Sequence, residues 1–497
     1  MMRAETLWQS LPPEWPEDLL PEIRAANALN GRALVVLDDD PTGTQTVHAL
    51  PVLTRWTAAA LAAELSRGRP AFYLLTNTRA LPLREAQALN QSIGQHLLAA
   101  VRAVGRSVAV VSRSDSTLRG HFPGEVQALD AALGGGFDAW VLVPCFPEGG
   151  RCTIGDVHYA AEGERLTPAG ETEFARDKTF GYRASNLKEW VAEKTRGAIA
   201  ADEVISIALH TLRQGGPRAV RDQLLALPAA RSGGGPPRVI VANAASYRDL
   251  EVLALGLRWA EQAGRRYLYR TAASFVRVMA GLAARPLLSP AELLASRPIA
   301  SAAEAHQPES AAGLIVAGSY VPRTTAQLEA LFAQTPAARV EIRVESLLDE
   351  ARRASEIDRA AAAMNRHLTA GRDTVVYTSR ALAASQTGGE ADLLIGRSIS
   401  DALVAVVRAL RARPRYLLAK GGITSSDIAT AGLGIERAMV LGQALPGVPV
   451  WQTGPESRFP GLAYIVFPGN VGGPDALAQL VQSLAAARGS LWGDNTS

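Results

Sequence analysis

Residues 34–45 read LVVLDDDPTGTQ: four apolar residues and three consecutive carboxylates, followed by Pro41, Thr42, Gly43 and Thr44. The apolar run is continuous rather than alternating, as in a strand whose sheet is covered on both faces. In open α/β sheets the carboxyl ends of the strands border the ligand crevice, so the aspartates stand where polar chemistry is expected. Three adjacent carboxylates repel one another, and packing them calls for a cation, a hydroxyl-bearing ligand or helix N–H groups nearby. The plainer alternative is a solvated turn in which one aspartate caps the next helix. Asp40, next to the turn, is the best-placed acceptor for a proton from a substrate hydroxyl.

The same strand reading extends along the chain. Residues 71–76, 107–111 and 139–143 read as buried strands, and Leu83–Val104 carries helix-period apolar residues. Short apolar runs at 204–207, 238–242 and 267–270 continue the series. Residues 286–312 are rich in Ala, Ser, Pro and Glu with no strand-like run, which reads as a linker. A second series follows, with strands expected at Leu314–Ala317, 339–344, Thr374–Thr378, 416–419, 448–451 and Ala463–Phe467. Alternation of strands and helices predicts an α/β fold: two α/β domains with mainly parallel sheets. The expected boundaries are an N-terminal arm over 1–30, a first domain over 31–285, the linker, and a second domain over 313–497.

Composition excludes several classes. The chain has 497 residues, with 51 Lys plus Arg against 48 Asp plus Glu, a net charge of +3. Apolar residues are 47% and charged residues 20%, unlike a disordered chain. The basic residues are matched by acids and form no stripe, which argues against a nucleic-acid partner. Cys145 and Cys152 make neither a disulfide scaffold nor a metal set. No apolar run reaches the roughly 18 residues needed to cross a bilayer, and MMRAETLWQSLPPEWPEDLL lacks the apolar core of a signal peptide. A soluble cytoplasmic protein without a membrane partner is expected, and a homo-oligomer is compatible with this composition.

The second polar segment is SRSDSTLRG, residues 112–120, again after a strand. Arg113 and Arg119 bracket Ser114, Asp115, Ser116 and Thr117. A guanidinium clamps a carboxylate bidentately, and the hydroxyls suit a small polyol; a capped helix start with surface arginines is the alternative. Arg79, in TNTRAL, follows another strand. His158, in the Pro/Gly-rich stretch 144–160, reads as a packed, hydrogen-bonded histidine. In the second half, Gly318 and Ser319, the run KGGITSS at 420–426, and FPGNVGG at 467–473 are glycine loops at strand ends. Such loops let backbone N–H groups approach phosphates. They are also what ordinary strand-to-helix turns look like, and neither GxxxxGK[ST] nor GxGxxG is present.

Taken in order, DDDPTG, SRSDSTLRG, FPEGGRCTIGDVHY, GSYVPRTTAQ, KGGITSSDIA and FPGNVGG resemble the four-carbon acid sugar kinase family over most of the chain, from about Ala33 to Leu480. The resemblance implies a sugar-acid-binding N-terminal domain and a C-terminal ATP-binding domain, with the active site in the interdomain cleft. It implies phosphorylation of threonate, erythronate or 3-oxo-tetronate with ATP and a divalent cation, Mg2+. By position, Asp39, Asp40, Arg79, Arg113, Ser114, Asp115 and Ser116 look like acid-sugar contacts. Arg79 and Arg113 would hold the carboxylate and Asp40 would act as base. Ser274, Gly318, Ser319, Ser379, Gly421, Gly422, Ile423 and Thr424 resemble nucleotide contacts. Pro41 and Cys152 depart from the pattern of many relatives, which usually have an aliphatic residue and Thr there.

Two other classes are open to the sequence. Asp38 to Thr42 also satisfies DxDxT, the nucleophile signature of haloacid-dehalogenase-like phosphatases, with Asp38 as nucleophile. That reading lacks a convincing later Lys and acidic ligand set and leaves the glycine loops unexplained. A non-catalytic sensor of a sugar acid and a nucleotide is the third class, and no DNA-binding helix pair or basic arm supports it.

Overall fold

Strand β1 (Ala33–Asp38) is buried at all six positions, as its unbroken apolar sequence requires. The computed structural model describes residues 2–163, 165–228, 238–295, 308–318, 321–379 and 390–492. Two units are distinct, Met1–Ala284 and Arg285–Ser497.

In the first unit β1 is followed by β2 (Pro51–Leu53), β3 (Ala71–Leu75), β4 (Val108–Arg113), β5 (Ala139–Val143), β6 (Ile205–Ile207), β7 (Val239–Ala242) and β8 (Tyr267–Thr271). They lie in the order β6-β7-β5-β8-β4-β1-β3-β2, and every neighbouring pair is parallel. From β1 the chain moves outward to β3 and β2, whereas from β4 it moves the other way, to β5. The order therefore reverses between β1 and β4, the place where open α/β sheets bind ligands. The register sets Asp38 directly beside Arg113.

Helix α1 (Leu20–Asn30) lies within the stretch expected as an appended arm. It buries Ile23 and Ala26, and Asn27 Nδ2 donates to the Met279 carbonyl at 2.9 Å, so this stretch belongs to the first unit. Helix α2 (Leu83–Val104) presents Ala86, Ile93, Leu97 and Ala100 to the core and ends on Gly105 in the left-handed conformation. The core beneath it joins Val35, Leu37, Phe72, Leu74, Trp140 and Leu268. Helix α3 (Tyr247–Gln262), which apolar periodicity did not single out, is opened by a capping box between Ser246 and Asp249.

The stretch 144–160, expected as a loop, contains an antiparallel hairpin. Arg151–Ile154 pairs with Val157–Glu162, which pairs with Arg165–Pro168. The first turn is Gly155-Asp156, with φ of 59° and 64°, the two positive values that a two-residue primed turn demands.

The second unit contains β9 (Leu314–Ala317), β10 (Ala338–Ile342), β11 (Thr374–Thr378), β12 (Tyr416–Lys420), β13 (Arg437–Leu445), β14 (Val448–Thr453) and β15 (Ala463–Phe467). Their order is β13-β14-β15-β12-β9-β11-β10. The last five are parallel; β14 is antiparallel to both neighbours. The core gathers Ile315, Val375, Leu418, Val450, Ile465 and Phe467. Within the stretch read as a linker, Ser289 and Glu292 form a capping box that starts helix α4 (Pro290–Leu294), and Leu288, Leu293 and Leu294 join this core. Residues 296–307 lie outside the described residues. Both units are thus α/β with mainly parallel sheets. No described helix is long and apolar enough to cross a membrane.

Ser246→Ala removes the cap of α3 while leaving its buried face intact. The expected loss is about 1 kcal/mol of stability, measured by urea unfolding; a loss below about 0.3 kcal/mol would show that Asp249 holds this helix start by itself.

Candidate functional site

At the ends of β1 and β4 the carboxylates and guanidinium groups interlock. Arg113 donates to Asp38 Oδ1 from both Nε and Nη2, and its Nη2 also donates to the Asp40 backbone carbonyl at 2.7 Å. Arg79, in the turn after β3, donates from Nη2 to Asp39 Oδ1 at 2.6 Å and from Nε to Oδ2 at 3.3 Å. Ser114 Oγ donates to Asp39 Oδ2 at 2.6 Å. Arg119 Nε donates to Asp115 Oδ2 at 2.8 Å, and Thr117 Oγ1 donates to the same oxygen. Arg79 Nη1 stands 3.9 Å from Asp40 Oδ2 and 3.7 Å from Asp115 Oδ1, a cation shared between them.

Space is as tight as charge. A Cβ on Gly43 would run into the Arg113 guanidinium and Asp38 Oδ1, and one on Gly120 would meet Ser114 Oγ at 2.7 Å. The glycine in DPTG is therefore required by close approach to an ion pair.

Burial pushes the Asp38 carboxyl up to about 7, with Arg113 opposing the rise. Burial would also raise Asp39, but Arg79 and Arg113 outweigh it and hold the group below the usual carboxylate range. Asp115 is likewise buried yet held low by Arg119 and Arg79. Asp40 has a different hydrogen-bond setting. It caps the short 3-10 turn Pro41–Thr44, its Oδ1 accepting from Thr42 N at 2.8 Å and Thr42 Oγ1 at 2.5 Å. Its side chain keeps 20% exposure, and among the described residues Oδ2 takes no direct hydrogen bond. Capping thus uses one oxygen of the carboxylate and leaves the other without a direct hydrogen bond among the described residues.

Every acid-sugar contact implied by the resemblance lies at these strand ends, but Arg113 is buried and committed to Asp38, and Arg79 to Asp39. The half-buried Ser116 is held through its carbonyl, which accepts from His158 Nε2 at 2.7 Å, while Thr153 Oγ1 donates to His158 Nδ1 at 2.9 Å. Burial pushes the imidazole down to about 4, so His158 is the neutral Nε2–H tautomer and supports the loop. Sequence reasoning had not singled out Arg270, at the end of β8. It is buried with its Nη1 3.6 Å from Glu125 Oε2. The visible signal was position: YLYRT ends a strand, as VVSR does.

In the second unit the sheet brings the glycine loops together, because β9 and β15 flank β12. A Cβ on Gly318 would meet Thr424 Oγ1 at 2.7 Å. Gly421 has φ of 110° and opens the short helix Gly422–Asp427, whose Ile423 is 57% exposed. The first-turn N–H groups of such a helix have no intrahelical partner. Gln327 Nε2 donates to the carbonyls of Val471 and Gly473 at 3.0 and 2.8 Å, pinning the FPGNVGG loop. Lys420 is buried, donates to the Pro468 carbonyl at 2.6 Å, and burial pushes its ammonium down to about 7.

The remaining serines have local tasks. Ser379 Oγ accepts from Val344 N at 3.0 Å. Ser274 belongs to the first unit, where its Oγ donates to Glu148 Oε2 at 2.8 Å. Ser319 lies outside the described residues. No group of three or more His, Cys, Asp or Glu among the described residues could hold a metal ion, since the clustered aspartates are turned onto arginines.

Residues 34–279 match the sugar-binding N-terminal domain family, and residues 314–477 match the nucleotide-binding C-terminal domain family. The chain is 28% identical over 265 residues to D-erythronate kinase of Heliobacterium modesticaldum. That alignment covers 52% of this chain and about half of the relative, 50%. A crystal structure of a Salmonella typhimurium LT2 protein, provisionally described as a tRNA synthase, superposes with a TM-score of 0.61 at 19% identity, covering 91% of this chain and 98% of that one. A Haemophilus influenzae protein assigned to a family of unknown function gives 0.57 at 18% identity, covering 90% and 99%. Both share the fold.

The His158 environment sets an acid limit. The folded value, about 4, lies below the model-peptide value of 6.5, so the unfolded chain binds the proton first. Stability is fully present above pH 6.5 and is lost as pH falls toward 4. Between pH 7 and pH 5 wild type should lose roughly 2 kcal/mol more than His158→Gln in urea unfolding. Equal losses would contradict a neutral buried imidazole.

Proposed function

The chain belongs to the four-carbon acid sugar kinase family, and from that premise we propose that it transfers the γ-phosphoryl group of ATP to a hydroxyl of a small four-carbon acid such as threonate, erythronate or 3-oxo-tetronate. The observation that carries the reading is the division of labour among the strand-end carboxylates. Asp38, Asp39 and Asp115 each accept a hydrogen bond from an arginine, whereas the Asp40 carboxylate accepts none from an arginine, is the most exposed of the four, and keeps Oδ2 without a direct hydrogen bond among the described residues.

The acceptor hydroxyl gives its proton to Asp40 Oδ2 as its oxygen bonds to the γ-phosphorus. The bond from that phosphorus to the β–γ bridging oxygen breaks, and ADP leaves. Such transfers depend chiefly on positioning and on neutralising charge. Arg79, between Asp40 and Asp115, offsets the repulsion between the two carboxylates and adds positive charge beside the acceptor. Ser116 and Asp115 are proposed to orient the acid's hydroxyls. Gly421, Gly422, Ile423, Thr424 and Gly318 are proposed to receive the nucleotide, the glycines by close backbone approach and exposed Ile423 as an apolar surface for the base. Ser274 and Ser379 are weaker candidates, because each hydroxyl already has a protein partner.

A divalent cation in such reactions is held largely by nucleotide phosphates with one or two carboxylates. The described side chains do not fit a resident ion, since the strand-end aspartates are spent on guanidinium groups. The phosphatase reading fits poorly too: its nucleophile, Asp38, is buried and bound through Oδ1 by Arg113.

An ATP-coupled assay over D- and L-threonate, D- and L-erythronate and their 3-oxo forms tests the activity. ADP formation with at least one is expected, and none with any would contradict it. Asp40→Asn should lower turnover by about 100-fold or more with nucleotide affinity unchanged. Turnover near that of wild type would remove Asp40 as the base.

A further inference from the structure

Four arginines stand at the strand ends of the first unit, and their partners distinguish them. Arg79, Arg113 and Arg119 each hold a carboxylate oxygen at 2.8 Å or closer. Arg270 does not. Among the described residues its nearest anion, Glu125 Oε2, is 3.6 Å away, and its other side-chain contacts are Ser112 Oγ at 3.4 Å and the Phe122 ring, whose centroid is 5.9 Å from the guanidinium carbon. Glu125 Oε1 accepts from Thr78 Oγ1 and from Asn90 Nδ2, while Oε2, the oxygen nearer Arg270, accepts no hydrogen bond among the described residues. Burial lowers the Arg270 guanidinium below its ordinary range despite Glu125 and Asp39, whereas the other three are raised by their carboxylates. A buried cation so weakly paired is costly unless an anion completes it.

A cavity stands beside it. Arg270, Thr271, Ser114, Trp190, Leu118 and Leu142 are among its lining residues, and Asp115 is the lining residue at the strand-end loop that reaches solvent. Its volume is about 20 Å³, room for between one and two waters. It therefore admits the end of a short chain and excludes a sugar ring or a nucleobase. Two of the lining residues carry buried donors that have no hydrogen-bond partner among the described residues, Thr271 Oγ1 and Trp190 Nε1. Unpaired buried donors beside an under-compensated guanidinium call for an acceptor-only group. A carboxylate meets that need; a hydroxymethyl end does not.

We propose that Arg270 binds the carboxylate of the acid substrate in this cavity, with Thr271 and Trp190 as accessory donors. The assignment rests on the acid-sugar reading above and deepens it. It replaces Arg79 and Arg113, which are committed to Asp39 and Asp38, as carboxylate anchors. Such an anchor would favour acids over the matching neutral polyols.

Calorimetric titration without nucleotide separates the two levels, because it needs binding and no turnover. The full chain is titrated with threonate and erythronate, and with threitol and erythritol as neutral counterparts. Wild type should bind at least one acid and neither polyol measurably. Arg270→Gln should weaken acid binding by about 30-fold or more, Arg270→Lys should restore part of it, and ATP affinity should be unchanged in both. Thr271→Val, which removes only an unpartnered hydroxyl, should weaken the acid by about fivefold and serves if the arginine variants fail to fold. Acid binding by Arg270→Gln within about threefold of wild type, or by Thr271→Val at the wild-type level, would overturn the anchor. Wild type that binds none of the acids would overturn the acid-sugar reading with it.

Discussion

The buried pair between Asp38 and Arg113 is the constraint on which the rest of the first unit's site depends. It joins the last residues of two adjacent parallel strands at the point where the strand order reverses. Two charges in such a place are tolerable only together, and removing one partner of a buried pair costs about 3–5 kcal/mol. The pair fixes its surroundings in turn. Gly43 must lack a side chain because the guanidinium occupies the space a Cβ would take, and the Asp40 carbonyl is held by Arg113 Nη2.

From that fixed point the polarity of the site spreads outward. Asp39 takes Arg79, Asp115 takes Arg119, and Arg79 is left between Asp40 and Asp115. A row of three aspartates thereby becomes two carboxyl groups held by guanidinium groups and one, Asp40, whose carboxylate accepts no hydrogen bond from an arginine. The hairpin after β5 supports the same loop from the other side, since His158 reaches the Ser116 carbonyl. The chemistry thus rests on which charges are already satisfied, which the count of acids and bases in the sequence does not reveal.

Much of the architecture was legible because the first unit's strands are buried on both faces and so carry continuous apolar runs: LVVL, FYLL and WVLV each mark one. The hairpin at 151–162 was hidden by its Pro/Gly-rich setting, although Gly155-Asp156 is a turn signal. The strand Arg437–Leu445 was hidden because it buries every second residue while its sequence, RAMVLGQAL, is apolar on both faces. The strand-end residues were readable as a group, since polar residues after buried strands are conspicuous. Their pairing was not, because it depends on register and on side-chain reach. Hence Arg113 read as a ligand contact where the fold uses it as an ion-pair partner, and Arg270, inside the apolar-looking YLYRT, went unmarked.

The most direct test of this account is a crystal structure of the chain with a bound four-carbon acid. It predicts one acceptor hydroxyl within about 3 Å of Asp40 Oδ2, with the Asp38–Arg113 and Asp39–Arg79 pairs intact. An acid bound by Arg113 after breaking its pair with Asp38, or one whose hydroxyls lie away from Asp40, would contradict it.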